Sequence, residues 1–192
     1  EKINIMIAST HQNEENLIIP HLENISEKYP FINFVIAPRH PNRSKTIYNL
    51  LKNKKLDVEC HSNLENYNCR YLIIDSFGKM EEFFTKSDIV FLGGSLTKKG
   101  GHNPIEAALA SCAIISGPHV FNWQNLYDEM INKNSCLIIN EAKELEIKII
   151  NLIENKNLIE KYKKNALTFS NTVFFKEDKL LKLLDNKLRY NA

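Results

Sequence analysis

Apolar residues along this chain fall into short unbroken blocks separated by stretches of helical spacing. Residues 3–8, 34–37, 71–75, 89–92, 113–116 and 136–139 read as strands, with a further short one near 57–60 followed by a polar loop. Two blocks, Leu72-Ile73-Ile74 and Ile89-Val90-Phe91-Leu92, are continuously apolar rather than alternating. Such runs belong to strands covered on both faces. Helical patterns lie between them at 13–28, 43–52, 79–86, from Asn103 onward, and at 123–132. The first places Leu17, Ile18, His21, Leu22 and Ile25 on one face, and Pro20 inside it is expected to kink it or split it in two. Pro38 stops the second strand. From about residue 141 the pattern is helical only, rich in Lys, Glu, Leu and Ile. Repeated strand–helix–strand units with doubly covered strands predict an α/β fold: a parallel, doubly wound, Rossmann-like sheet. The expected organisation is a sheet domain over 1–140 and C-terminal helices over 141–192, packed on it or toward a neighbouring domain.

Composition narrows the function classes. The net charge of +2 comes with no dense Lys/Arg run, so nucleic acid is not an expected partner. Lys52, Lys54 and Lys55 read as a solvated helix end. Cys60, Cys69, Cys112 and Cys136 form no CxxC pair and have no zinc-like spacing to His. Cys112 and Cys136 sit in apolar context and read as core thiols, which fits a reducing compartment. No cluster of carboxylates suits a metal, and neither metal nor cofactor is expected. No apolar run reaches the roughly 18–20 residues of a membrane span. The chain opens on Glu1-Lys2 and leads straight into a strand, which reads as a piece of a longer protein.

All six glycines fall between residues 78 and 117. Glycine is used where backbone takes unusual dihedrals or approaches something closely, so this clustering points to one site where backbone meets a ligand. In open α/β sheets, ligands bind beyond the carboxyl ends of the strands. Five strand ends carry polar or glycine-rich turns: Ser9-Thr10-His11, Pro38-Arg39-His40, Asp75-Ser76-Phe77-Gly78, Gly93-Gly94-Ser95-Leu96 and Gly117-Pro118-His119.

Each turn has two readings. Asn103-Pro104-Ile105-Glu106 opens a helix with Asn at the cap, Pro at the first position and Glu at the third. Either Glu106 reaches back to the cap, or it turns outward to a sugar hydroxyl while the helix N-terminus, exposed by Gly100-Gly101-His102, takes an anion. Gly93-Gly94-Ser95-Leu96 is neither a P-loop nor a GxGxxG motif; it is a tight turn or part of the ligand frame. Arg39, held beside Pro38, is a surface ion pair or a fork for phosphate or carboxylate. Ser9, Thr10 and His11 cap a helix that carries Glu14 and Glu15, or line the site. Phe77 and Gly78 form a plain turn or wrap a base. His102 and His119 are structural or orient an anion.

Together, in order and spacing, these segments and the blocks Phe91-Leu92-Gly93-Gly94-Ser95-Leu96, Gly100-Gly101-His102-Asn103-Pro104-Ile105-Glu106 and Gly117-Pro118-His119-Val120-Phe121-Asn122 resemble the 3-deoxy-D-manno-octulosonic acid (Kdo) transferases, glycosyltransferases of lipid A and lipopolysaccharide synthesis. The likeness covers about residues 3–130. It implies a GT-B fold of two Rossmann-like domains, of which this chain is the C-terminal, CMP-Kdo-binding one. The acceptor, a lipid A precursor (lipid IVA), the membrane association and a carboxylate base would belong to the N-terminal half. The full protein would then work at the cytoplasmic face of the bacterial inner membrane, and this domain alone would be soluble and inactive in transfer. By resemblance, Pro38 and Arg39 contact CMP, with Arg39 stabilising the leaving group. Phe77, Gly78 and Lys79 line CMP through backbone groups, and Asn103, Pro104, Ile105 and Glu106 bind phosphate and ribose. Ser9, Thr10, His11, Gly94, Ser95, Gly101, His102 and His119 are further candidates. The chain departs from the family at Lys79, where Glu is usual, at Ser76 and Phe77, at Gln12-Asn13 in place of Glu-Gly, and at Val120 in place of a common Thr. Two alternatives stay open: another GT-B transferase or an epimerase using a UDP-sugar, and a non-catalytic nucleotide-binding module.

Overall fold

The computed structural model describes residues 2–63 and 69–190, with side chains described through Val173. Seven strands form one sheet: β1 (Ile3–Thr10), β2 (Ile32–Pro38), β3 (Val58–Cys60), β4 (Tyr71–Ile73), β5 (Ile89–Leu92), β6 (Ala113–Ser116) and β7 (Leu137–Ile138). Their spatial order is β3-β4-β2-β1-β5-β6-β7 and every pair is parallel. The chain starts at the centre, builds to one edge, and returns across β1 to build the other. That reversal between β1 and β5 opens a crevice at their carboxyl ends. The fold is the α/β, doubly wound sheet that the apolar runs predict.

Both faces of the sheet are covered. On one, Ile5, Ile7, Phe34 and Phe91 meet α1 (Glu14–Lys28), α2 (Ser44–Asn53) and α6 (Ala142–Glu154) through Leu22, Leu51 and Ile149. On the other, Met6, Ala8, Val90 and Leu92 meet α3 (Met80–Thr85), α4 (Ile105–Leu109) and α5 (Gln124–Asn132) through Phe83, Ala108 and Met130. Successive residues of β1 and β5 therefore serve opposite cores, which is why neither strand alternates in polarity. Cys112 and Cys136 are buried in the second core, and burial pushes the Cys112 thiol up to about 12.

The last helix, α7 (Lys156–Tyr190), begins on one face and ends on the other. Ile159 joins the first core, and Ala166 and Phe169 join the second. Between them Lys163 bonds Asp88 at 3.1 Å, just before β5. The helix thus passes beneath the amino ends of the central strands and leaves the carboxyl rim open. The side chains of 174–190 and residues 191–192, which belong to the segment 141–192, lie outside the described residues. So do residues 64–68, in the polar loop expected after residue 60, which starts as a 3-10 turn at His61–Asn63. No helix among the described residues is long and apolar enough to cross a membrane.

Two local expectations are corrected. Helix α1 is not split at Pro20. Pro20 and Asn16 are both exposed, so water can take the Asn16 carbonyl that lacks its usual partner. Leu17 is 49% exposed rather than on the buried face, which Ile18, Ile19, Leu22 and Ile25 make instead. Truncating Phe91, fully buried at the sheet centre, should cost about 3–5 kcal/mol in denaturant unfolding. Leu17→Ala should stay within about 0.5 kcal/mol.

Candidate functional site

The rim of the crevice is organised from inside by a carboxylate. β1 ends in a bulge, where Ser9 takes φ 55° and the register with β2 shifts between Ala8 and Thr10. The chain then turns through Asn13, at φ 73°, into α1. Asn tolerates this left-handed conformation better than other non-glycine residues, which suits it to the turn. The turn drives Glu14 into the crevice, where it is fully buried. One oxygen accepts the backbone N–H groups of Ser95 and Leu96 at 3.1 and 3.0 Å; the other accepts those of Gly94 and His11 at 2.7 and 3.1 Å. Consecutive N–H groups of this kind form a nest that binds anions, and here the anion is the chain's own. A side chain at Gly93 would stand 2.8 Å from Thr10 Cα and 2.9 Å from the Glu14 carboxylate, so only glycine closes this contact.

Glu15 is buried beside it and meets Arg43 in a two-pronged pair at 2.8 and 2.7 Å, while Thr10 Oγ1 donates to it at 2.6 Å. The Thr10 carbonyl accepts from both Arg43 and the backbone N–H of Arg39. Arg43 is thus spent on structure. Arg39 is exposed and its guanidinium makes no hydrogen bond or ion pair among the described residues.

Above the nest lie three histidines. His11 and His102 lie end to end, with centroids 5.2 Å apart, planes 12° from parallel and Nε2 atoms 3.0 Å apart. His40 stands edge-on to His11 at 6.3 Å. Gly94, at φ 66°, lies against the pair, and a Cβ there would meet both rings. Burial, then the neighbouring His11 and Arg39, hold His102 down at about 4. Burial also lowers His11; Glu14 opposes this, and Lys99, His40 and Arg39 add to it. At neutral pH the pair is uncharged, with one ring donating and the other accepting. Tyr127, buried, donates to the His102 carbonyl at 2.9 Å and fixes its loop.

The structure brings Ser9, Thr10, His11, Pro38, Arg39, Gly94, Gly101 and His102 together at this rim, tied by Arg39 to Thr10, Gly101 to Gly94 and His11 to His102. Three of the candidates serve the scaffold. Thr10 is buried against Glu15. Ser95 is buried, donating to Leu92 and accepting from Gly117. The N–H of Gly94 belongs to Glu14. The N–H groups of Gly94, Ser95 and Leu96 are thus all taken by Glu14. His119 is held through its backbone N–H on Ser95. Glu106 is exposed and makes no bond back to Asn103, whose Oδ1 instead accepts the Ile105 N–H at 3.0 Å. The carboxylate faces a cleft of about 380 Å³ between α3 and α4, shared with Phe84 and Leu109. Helix α4 runs only Ile105–Leu109, so the helix dipole expected at Asn103 is small. Phe77 is 75% exposed, and Gly78, at φ 77°, borders open space. Lys79 turns along its own helix to Glu82 at 3.5 Å. No contact joins Phe77, Gly78 or Lys79 to the histidine pair among the described residues. No group of His, Cys, Asp or Glu among these residues is arranged to hold a metal ion.

No protein-family model matches the chain. Among curated proteins it is 34% identical over 152 residues to the 3-deoxy-D-manno-octulosonic acid transferase of Haemophilus influenzae, covering 78% of this chain and 36% of that protein. It is 33% identical over 189 residues to the enzyme of the same name from Rickettsia prowazekii, covering 96% of this chain and 40% of the relative. The chain spans about two fifths of the length of the curated relatives it matches. Among solved structures it superposes on the C-terminal CMP-Kdo binding domain of WaaA from Acinetobacter baumannii with a TM-score of 0.82 and 26% identity, covering 88% of this chain and 89% of that one.

Glu14→Gln keeps the shape but turns two acceptor positions into N–H donors facing N–H groups. It should lower unfolding stability by about 2–3 kcal/mol. Arg43→Met strands a buried carboxylate and should cost about 3–5 kcal/mol. Adding Glu15→Leu should return a large part of that loss, read from denaturation midpoints in a double-mutant cycle.

Proposed function

We propose that this chain, homologous to the 3-deoxy-D-manno-octulosonic acid transferases, is the donor-binding domain of a Kdo transferase and binds CMP-Kdo in the crevice between β1 and β5. The observation that carries the reading is the match to a CMP-Kdo binding domain over nearly the whole of both chains. The site's charge supports it: an unpaired Arg39 with Lys98 and Lys99 exposed at the same rim suits an anionic donor.

In this reading the donor's glycosidic bond breaks and negative charge grows on the CMP phosphate. Arg39 offsets it as a preorganised cation. Asn103 to Glu106 contribute single polar groups rather than a helix dipole, with Glu106 turned outward to the ribose. Phe77, Gly78 and Lys79 form the outer wall near the base. The acceptor sugar hydroxyl needs a proton acceptor. Glu14 and Glu15 are saturated with hydrogen bonds, and His102 is a weak base for the electrostatic reasons given above. By the resemblance to the Kdo transferases, the base, the lipid A precursor and the attachment to the inner membrane's cytoplasmic face belong to the three fifths of the relatives' length that this chain does not span. The chain alone should bind donor without transferring Kdo.

Calorimetric titration with CMP, against UMP and UDP, tests the assignment. CMP should bind in preference, and Arg39→Ala and Glu106→Ala should each lose about 1.5–3 kcal/mol. A preference for UDP would move the chain to a UDP-sugar enzyme. Indifference of every ligand to Arg39→Ala would point to a non-catalytic module.

A further inference from the structure

The histidine pair has a property that donor binding alone does not require. Two neutral imidazoles with Nε2 atoms 3.0 Å apart hold one proton along the N···N line and a second on the outer nitrogen of the accepting ring. A further proton, added at the outer nitrogen of the donating ring, leaves the N···N bond intact and makes an imidazolium–imidazole pair of charge +1. One more would set two N–H groups against each other. The pair therefore accepts one proton from solvent, and only one, without breaking.

In the unliganded rim the charged and titratable neighbours oppose that proton. Burial is the largest opposing effect at both rings, and Lys99 after β5 and His40 and Arg39 after β2 add to it. Glu14 of α1 favours it at His11, and the Ser9 carbonyl favours it at His102. An anion docked against Arg39 would reverse this balance. Its charge would cancel that of the guanidinium and attract the proton directly. Both rings are half-buried, so a ligand can reach them.

Resting on the donor-binding reading above, we propose that the His11–His102 pair is a one-proton receptor for an anionic oxygen group of the donor, charging as that group docks beside Arg39. Two donor groups share this chemistry, the phosphate of CMP and the carboxylate of Kdo. The sign follows from linkage. A ligand that raises the pair's proton affinity gains from it fully below the free pair's titration and loses the gain as pH rises through that of the bound pair. Between the two, the anion's affinity falls up to tenfold per pH unit.

The test uses the unmodified chain and two probes. Imidazole nitrogen signals are followed by NMR across pH 4–8 alone, with CMP, and with free Kdo. Proton uptake is counted by calorimetry at pH 6.5 in two buffers of different ionisation enthalpy. The expected result is an upward shift of one titration shared by His11 and His102 on binding, with uptake approaching one proton. His102→Gln and His11→Gln should each abolish that uptake and flatten the pH dependence. The ionisation of CMP itself is common to all these proteins and cancels in the comparison. A response to CMP alone identifies the phosphate as the partner, and a response to Kdo identifies the carboxylate. CMP bound with both histidine titrations unmoved, and with equal proton counts in the variants, overturns this inference and leaves donor binding standing. No binding of either probe overturns both.

Discussion

A single buried carboxylate sets the shape of the rim. Glu14 offers two oxygens, and the protein fills each with two backbone N–H groups. A buried charge without such partners would cost several kcal/mol; with them it becomes a fixed point to which the loops are tied. From Ser95, held by Glu14, further bonds reach Gly117 and His119. From Gly94 another reaches Gly101 and so the loop of His102. The turns after β1, β5 and β6 thus share one electrostatic centre. The turn after β2 is bound to the same structure through Thr10, which takes the Arg39 N–H on its carbonyl and gives its hydroxyl to Glu15.

This arrangement sorts the charges by role. Glu14, Glu15 and Arg43 are buried or half-buried and find their partners inside the protein. Arg39, Lys98 and Lys99 are exposed at the same rim. Glu15 is neutralised by Arg43, Glu14 keeps its charge but is held by N–H dipoles, and the outer cations stand opposite it at the mouth of the crevice. The neutral histidine pair lies between the two layers. Its charge can change when a ligand docks, while the arginines and lysines around it keep theirs.

Much of the fold was legible because strand and helix periods are local. Leu72-Ile73-Ile74 and Ile89-Val90-Phe91-Leu92 could be read as doubly covered strands, and the sheet bears them out. Leu17 was misplaced because helical spacing fixes neighbours on a helix surface but not which edge of the apolar stripe stays wet. The candidate site is legible as a set of strand-end turns, but the sequence leaves the glycines of those turns with two readings, tight packing or contact with a ligand. At Gly93 and Gly117 the packing reading holds: Gly93 makes room for Thr10 and Glu14, and Gly117 for the Ser95 backbone. The burial of Glu14 and Glu15 was missed, since an acidic pair in a first helical turn usually complements the helix dipole. Their signal lay in the position: a helix entering directly from the central strand, at the point where strand order reverses, must aim its first turn into the crevice.

The short α4 changes where anion stabilisation can come from. A five-residue helix has few aligned peptides, and Asn103 already satisfies the Ile105 N–H. The glycine loop cannot substitute for it, because Glu14 holds the N–H groups of Gly94, Ser95 and Leu96. In the donor-binding reading proposed above, an anionic ligand at this rim is met by side chains: Arg39, the exposed lysines and the imidazoles. Side-chain sites differ from backbone nests in one respect. Their charge responds to what is bound, whereas peptide dipoles are fixed. A rim whose shape is locked by an internal carboxylate can adapt to a ligand by moving protons rather than loops, and the paired histidines lie where such a proton would be held.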